Sequence, residues 1–167
     1  MSSLRTEISD SAVNPLDVVE QIAIANDWHY ERQGEDELVA DLAAQWCHYR
    51  LWFTWHADMG VLHLACALDI KVPAKKRGGL YQLLALANEK LWLGHFDLWA
   101  EEGVPVFRHA TLVRDGSAIG LELLEDLTEI ALGECERFYP AFQFHLWGGK
   151  PANEALTAAL LETEGEA

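Results

Sequence analysis

The sequence predicts an α+β protein in which helices pack on one face of an antiparallel sheet, in the order α-ββββ-α-ββ-αα. Residues 37–71 alternate apolar and polar side chains with a period of two, which is typical of half-buried strands. The segments on either side repeat apolar residues every three or four positions, as amphipathic helices do. No strand-helix-strand alternation of the kind that builds a parallel sheet is present.

The length of 167 residues fits one domain of ordinary size. Residues 1–13 are small, polar and non-periodic, so we expect a flexible lead-in there. The domain then occupies residues 14–162, and residues 163–167 form an acidic tail.

The first helix is expected from about residue 15 to 26. Asn14 is a residue type that caps helices, and Pro15 follows at the first helical position. Residues 28–32 alternate as a strand does, before a turn at Gln33-Gly34.

Two hairpins follow, and their side-chain pattern predicts their pairing. A loop at 57–60 places apolar side chains opposite each other on one face, which gives the pairs Phe53 with Leu64, Leu51 with Cys66 and Tyr49 with Leu68. A slip of one residue would move His63 and Asp69 onto that face, so the register is strongly specified. A loop at 43–46 gives the pairs Leu42 with Cys47 and Leu38 with Leu51.

The remaining elements are indicated by helical stripes, prolines and glycines. Pro73 stops the preceding strand, Pro140 should kink the long helix, and Gly148-Gly149 should end it. The predicted elements are a helix at 77–93, strands at 95–100 and 104–113, a turn at Asp115-Gly116-Ser117, a helix at 118–147 and a last helix at 151–162.

The charge balance narrows the classes of partner. Lysine and arginine number 12 against 27 acidic residues, for a formal net charge of −15. Such a field repels a phosphate backbone, so we expect no nucleic acid partner. No apolar run reaches the roughly 18–20 residues that a membrane crossing needs, so we expect no membrane partner. Three cysteines without a C-x-x-C pair suit the cytoplasm, with buried and inert thiols.

No motif in the sequence predicts catalysis, so we expect no enzyme, no catalytic residue, no metal and no cofactor. The seven histidines lack any spacing typical of zinc sites. Gly116-Ser117-Ala118 lacks the order of a nucleophile elbow, which favours a turn with a capping serine. His48, Asp41 and Asp69, expected as neighbours on the polar face, are the only cluster with ligand-like composition. We interpret them as a solvated, salt-bridged row.

Two glycine-rich spots are candidates for anion binding. Gly148-Gly149-Lys150 lacks the spacing of a P-loop and is interpreted as a helix stop. The basic run Lys75-Lys76-Arg77 precedes a helix, where backbone N–H groups can receive an anion. We interpret that run as a solvated loop, and anion binding there stays open.

The excess of tryptophan is the feature that most favours an interaction surface. Trp52 falls on the polar face of its strand beside Arg50, and Trp46 falls at a strand edge. Exposed tryptophans near an arginine have the composition of interface anchors, unless a helix covers that face. The candidate partner-binding residues are Trp46, Arg50, Trp52, Trp99 and Trp147.

Three stretches, at residues 83–99, 107–110 and 134–142, resemble the YbjN family of bacterial proteins. The similarity spans about residues 15–162 and is greatest to the alphaproteobacterial branch. The family is regarded as one of sensory transduction regulators, and its fold is similar to that of type III secretion chaperones. The resemblance therefore implies a small α+β unit that dimerises and holds a partner polypeptide.

These observations together favour a non-enzymatic, cytoplasmic regulatory or chaperone-like adaptor. We expect it to bind another protein, with a basic partner favoured by the acidic field, and to form a homodimer. The alternative is a small-molecule sensor or hydrolase that uses the row of His48, Asp41 and Asp69. A third possibility is a structural subunit whose last helix docks on a neighbouring molecule.

Overall fold

The structure, a computed structural model, describes residues 14–113 and 119–165, with side chains through Leu161. Within these residues the helices and strands follow the predicted order. The helices are α1 (Pro15–Ala25), α2 (Arg77–Asn88), α3 (Leu121–Leu146) and α4 (Ala152–Gly165), and the strands are β1 (His29–Gln33), β2 (Glu37–Ala43), β3 (His48–His56), β4 (Val61–Ala67), β5 (His95–Trp99) and β6 (Val104–Leu112). A short 3-10 turn at Ala74–Lys76 leads into α2.

All six strands form one antiparallel sheet, so the strands do not divide between two sheets. The strand order is β1-β2-β3-β4-β6-β5. The last hairpin therefore adds β6 against β4 and leaves β5 at an edge. Pro105 is tolerated in β6 because it lies past Ala67, the last residue of β4, and faces Leu98 of β5.

The predicted register of β3 and β4 is confirmed, whereas that of β2 and β3 is wrong by two residues. Phe53 lies opposite Leu64 as predicted, and Leu38 lies opposite Phe53 rather than Leu51. The loop is 44–47, closed by a hydrogen bond from Ala44 N to the Cys47 carbonyl (3.1 Å). Because side chains alternate with a period of two, this shift leaves every residue on its predicted face.

The helices and the apolar sides of the strands share one core. Asn14 caps α1 through its side chain, which accepts a hydrogen bond from Leu16 N (2.9 Å). Phe96 of β5 contacts Phe138 and Phe142 of α3 edge to face, with ring centroids 5.5 and 5.7 Å apart. These contacts fix α3 against the last hairpin.

The last helix belongs to the same core. Buried α4 residues, Leu156 among them, pack with α2 and α3 of the same chain. The buried side of α4 is therefore covered within the chain, and these contacts do not support the possibility that the last helix docks on a neighbouring molecule.

Several elements end at residues other than those predicted. The strand expected to reach Pro73 ends at Ala67, and α2 ends at Asn88 rather than residue 93. Glu89–Gly94 instead form turns into β5, with Gly94 at φ +69°. Helix α4 extends to Gly165. The predicted turn at 115–117 and the lead-in 1–13 lie outside the described residues. In the part of the chain that is described, no helix has the length and apolar character needed to cross a membrane.

Candidate functional site

The sheet face opposite the helices, here called the outer face, is the candidate site. The buried residues of the helices pack against the inward-facing side chains of the strands, on the other side of the sheet. The strand register assigns these side chains to it: His29, Glu31, Gln33, Glu37, Val39, Asp41, Ala43, His48, Arg50, Trp52, Thr54, His56, Val61, His63, Ala65, Ala67, His95, Asp97, Trp99, Val104, Val106, Arg108, Ala110 and Leu112.

Three of the five predicted partner-binding residues come together on the outer face. Trp52 of β3 and Trp99 of β5 meet edge to face, with ring centroids 5.0 Å apart. The Arg50 guanidinium lies 5.7 Å from the centroid of the Trp52 ring. The Asp41 carboxylate accepts hydrogen bonds from Arg50 Nε (2.7 Å) and an Arg50 terminal nitrogen (3.2 Å). This two-point contact orients Arg50, which in turn restrains Trp52.

The other two predicted residues lie elsewhere. Trp46 is in the turn before β3 and stacks on Tyr139 of α3, with centroids 6.4 Å apart. This turn brings Trp46 to the helix side of the sheet, so it contributes to packing there. Trp147 follows the last residue of α3 and is 57% exposed, away from the outer face. A partner-binding role for these two residues stays a prediction.

The Trp52–Trp99 pair lines a groove of about 600 Å³, which is within the size range of ligand pockets. His63, His95 and Arg108 contribute nitrogen groups to its wall, and Glu102 contributes a carboxylate. Arg108 is held by the Asp97 carboxylate at 3.3 Å. The groove therefore combines an aromatic floor with polar groups of both signs.

A second hollow, of about 280 Å³, lies on the outer face over β1 and β2. Glu31, Glu37 and Asp41 line it, with Arg50 and Trp52 on the side of the groove. Only Asp41 among these three carboxylates has an ion pair within the described residues. This hollow is the acidic end of the outer face.

The row of His48, Asp41 and Asp69 does not form as predicted. The register places Arg50 opposite Asp41, where the predicted pairing placed His48. Asp69 lies beyond the end of β4, beside Cys47. No cluster of three histidine, cysteine or acidic residues within 14–113 and 119–165 can hold a metal ion.

The remaining candidates for chemistry are occupied in packing or lie outside the description. Lys76 Nζ donates to the Leu146 carbonyl and an Arg77 terminal nitrogen donates to the Ala100 carbonyl, so two residues of the basic run are tied to the fold. Gly149, at φ +66°, follows the end of α3, as expected for a helix stop. Gly116-Ser117-Ala118 lies outside the described residues.

All three cysteines are predicted to be buried, and two of them are, whereas Cys47 is half-buried. Cys66 and Cys135 are fully buried between β4 and α3. Burial raises the pKa of Cys135, and burial also raises the pKa of the half-buried Cys47. Thiols in this state are poor nucleophiles at neutral pH.

The sequence did not single out His63, His95 and Arg108. Polar alternation does place His63 on the outer face, but His95 and Arg108 reach the groove only because β6 pairs with β4. Burial, followed by the nearby His56 and Arg108, lowers the pKa of His63. Another residue placed in a helix by the sequence, Trp92, is 98% exposed in the turns before β5.

The comparisons with curated proteins and with solved structures found no match. Residues 15–144, from the start of α1 almost to the end of α3, match a family described as "YbjN: Putative bacterial sensory transduction regulator". Because the match covers well over half of the chain and all six strands of the sheet, this protein belongs to the YbjN family.

Proposed function

We propose that this chain is a regulatory protein that binds another polypeptide through the outer face and catalyses no reaction. The observation that carries the proposal is the Trp52–Trp99 pair on a sheet face that no described helix covers. A sheet with one face buried and one face aromatic has a surface that folding alone does not require. Recognition is the use that best accounts for it.

Tryptophan and arginine are the residues that most often carry binding energy in protein interfaces. Trp52 and Trp99 are already held in one arrangement by their mutual contact, and the ion pair of Arg50 with Asp41 holds the neighbouring cation. These side chains therefore lose little conformational freedom when a partner covers them, which reduces the entropic cost of binding.

The family description supports the regulatory part of the proposal, since it concerns sensory transduction. The likeness to type III secretion chaperones that the sequence suggests would fit a protein that holds a polypeptide. We place the protein in the bacterial cytoplasm as a homodimer, and sedimentation velocity of the purified chain tests the homodimer.

The groove and the acidic hollow over β1 and β2 include neither His48 nor Asp69. A small-molecule sensor or hydrolase built on the row of His48, Asp41 and Asp69 therefore has no observation in its favour, and we do not propose it further.

The test compares capture by tryptophan variants. The wild type, Trp52→Ala and Trp99→Ala are used as bait in lysate. Trp92→Ala is the matched control, because its side chain is exposed in the turns before β5 and does not line the groove. We expect the same protein to be captured by the wild type and by Trp92→Ala, and to be reduced at least about tenfold with either outer-face variant.

Photo-crosslinking locates the contact independently. A crosslinking amino acid at Thr54, which lines the groove, should attach to the captured protein, and one at the exposed Glu129 of α3 should not. Equal capture by all four baits, or crosslinking only from α3, would contradict a binding role for the outer face.

A further inference from the structure

Histidines are concentrated on the outer face. Five of the seven histidines of the chain lie there, spread over β1, β3, β4 and β5. The register assigns His29, His48, His56, His63 and His95 to this face. Histidine is the side chain whose charge changes near neutral pH, with an ordinary pKa of about 6.5. The charge of this face is therefore sensitive to mild acidification.

The other charges of the face are few, so the histidines decide its sign. The strands place four carboxylates there (Glu31, Glu37, Asp41 and Asp97) and two guanidinium groups (Arg50 and Arg108). The formal charge of these strand residues is −2 with neutral histidines and +3 with all five protonated. Glu102 at the groove adds one negative charge to either state.

The negative charge at neutral pH is localised. Arg50 neutralises Asp41 at 2.7 Å, and Arg108 lies 3.3 Å from Asp97. Glu31 and Glu37, over β1 and β2, have no ion pair within the described residues. Unpaired carboxylates beside the Trp52–Trp99 pair fit a partner that presents lysine or arginine next to an apolar side chain.

We propose that the outer face binds a basic segment of a partner polypeptide at neutral pH and releases it on acidification, because protonation of the five histidines reverses the charge of the face. This inference rests on the proposed function, and it names both the chemistry of the partner and the control of its binding.

The groups around each histidine determine how readily it becomes charged. The rings of His56 and His63 lie 4.9 Å apart, edge to face. Asp36 and Asp58 line a hollow beside His56. His63 also faces Arg108 across β4 and β6, and its pKa is lowered. We expect protonation of His63 to need a lower pH than that of an ordinary histidine.

The other three histidines lie near carboxylates or at the rim. His29 is opposite Asp41 in the register, and His95 is opposite Arg108 and shares the groove with Glu102 and with His109 of β6. His48 is opposite Ala43, on the same side of β3 as Arg50, with Asp69 beside the preceding Cys47. Carboxylates and the two arginines therefore both lie among these three histidines, so charges of both signs surround them.

The test uses a fluorescent decalysine peptide as the probe, with anisotropy measured at pH 7.5 and pH 5.5 at constant ionic strength. Lysine stays charged and carboxylates stay ionised across this range, so histidines are the groups that change. We expect the Kd for the wild type to rise by about tenfold or more at pH 5.5. An equal Kd at the two pH values would overturn the inference.

Variants locate the effect on the outer face. Replacing the five outer-face histidines by glutamine should reduce the change of Kd with pH to less than about twofold, whereas the control His145→Gln in α3 should keep it. At pH 7.5 the double variant Glu31→Gln/Glu37→Gln should weaken binding, and the exposed α3 pair Glu122→Gln/Glu129→Gln should not. Retention of the pH response by the five-glutamine variant, or equal weakening by both glutamate pairs, would refute the location.

The outcome is separable from that of the proposed function. A Kd that does not change with pH, combined with a cellular protein captured by the wild type and lost with Trp52→Ala, refutes the charge reversal alone. Failure of both the peptide and the capture experiments refutes the binding role as well.

Discussion

Replacement of Gly94 by alanine is predicted to be among the most damaging single-methyl changes in the fold. Gly94 has φ +69°, and a Cβ there would lie 2.7 Å from the Arg108 carbonyl oxygen and would overlap the ring of Phe107. The left-handed backbone costs about 1 kcal/mol for alanine, and overpacking against backbone and a buried ring adds about 1–3 kcal/mol. We expect a loss of about 2–4 kcal/mol in the free energy of unfolding.

Gly34→Ala provides the matched control for this prediction. Gly34 has nearly the same backbone angle, φ +61°, but no atom lies within 4 Å of its added Cβ. Its loss should be about 1 kcal/mol or less, since only the backbone term applies and alanine also restricts the unfolded chain.

Urea denaturation measures the difference between the two variants. With a slope of about 2 kcal/mol per molar urea, the midpoint should fall by about 1–2 M for Gly94→Ala and by less than about 0.5 M for Gly34→Ala. Equal midpoints for the two variants would show that contact with Phe107 and Arg108 does not matter, and would refute the packing described around β5 and β6.

Three further predictions concern the edge strand, the thiols and His63. Asn88→Ala should lower the free energy of unfolding by about 1–3 kcal/mol and speed hydrogen exchange of the Phe96 amide. The reason is that the Asn88 side chain accepts a hydrogen bond from the Phe96 N–H (2.6 Å) and donates one to the Phe96 carbonyl (3.0 Å). Unchanged exchange would contradict this. A thiol reagent at pH 8 should label Cys47 slowly and Cys135 only in denaturant, so rapid labelling of both would show that the core is open. Burial lowers the pKa of His63 in the folded state, so the unfolded state binds the proton more readily and stability falls as the pH drops below about 6.5. His63→Gln should reduce this loss of stability between pH 6.5 and 5. An identical dependence of stability on pH in the variant and the wild type would contradict the prediction.

The faces of the strands could be predicted from the sequence, and the pairing could be predicted only in part. Alternation alone assigned Leu51 and Phe53 to the core and Trp52 to the opposite face, and burial confirms the first two assignments. The predicted pairing of β2 with β3 is wrong by two residues. Alternation has a period of two, so a shift of two residues leaves the pattern unchanged and cannot be detected from it. The register could then be predicted only from residues typical of turns, and residues 43–47 contain no glycine, proline or asparagine to mark the turn.

The groove was harder to predict because it joins distant parts of the chain. Trp99 reaches Trp52 only because β6 pairs with β4 and β5 then lies at the edge. Pro105 obscured the pattern of β6, so Arg108 could not be assigned to a face. Trp46 was placed at a strand edge by period, and its stacking on Tyr139 depends on how the turn before β3 meets α3.

The hydrogen bonds along β5 limit how copies of this sheet can associate. Asn88 satisfies Phe96, and the Asp97 side chain accepts from the Leu98 N–H at 2.8 Å, so both donors that face away from β6 are taken. Among the strands of the described residues, edge-to-edge joining of two sheets is thereby left to β1. A dimer in which β1 of one molecule pairs with β1 of another has twofold symmetry, so it is complete with two copies. Fibres require a second free edge on each molecule, and the β5 edge does not provide one.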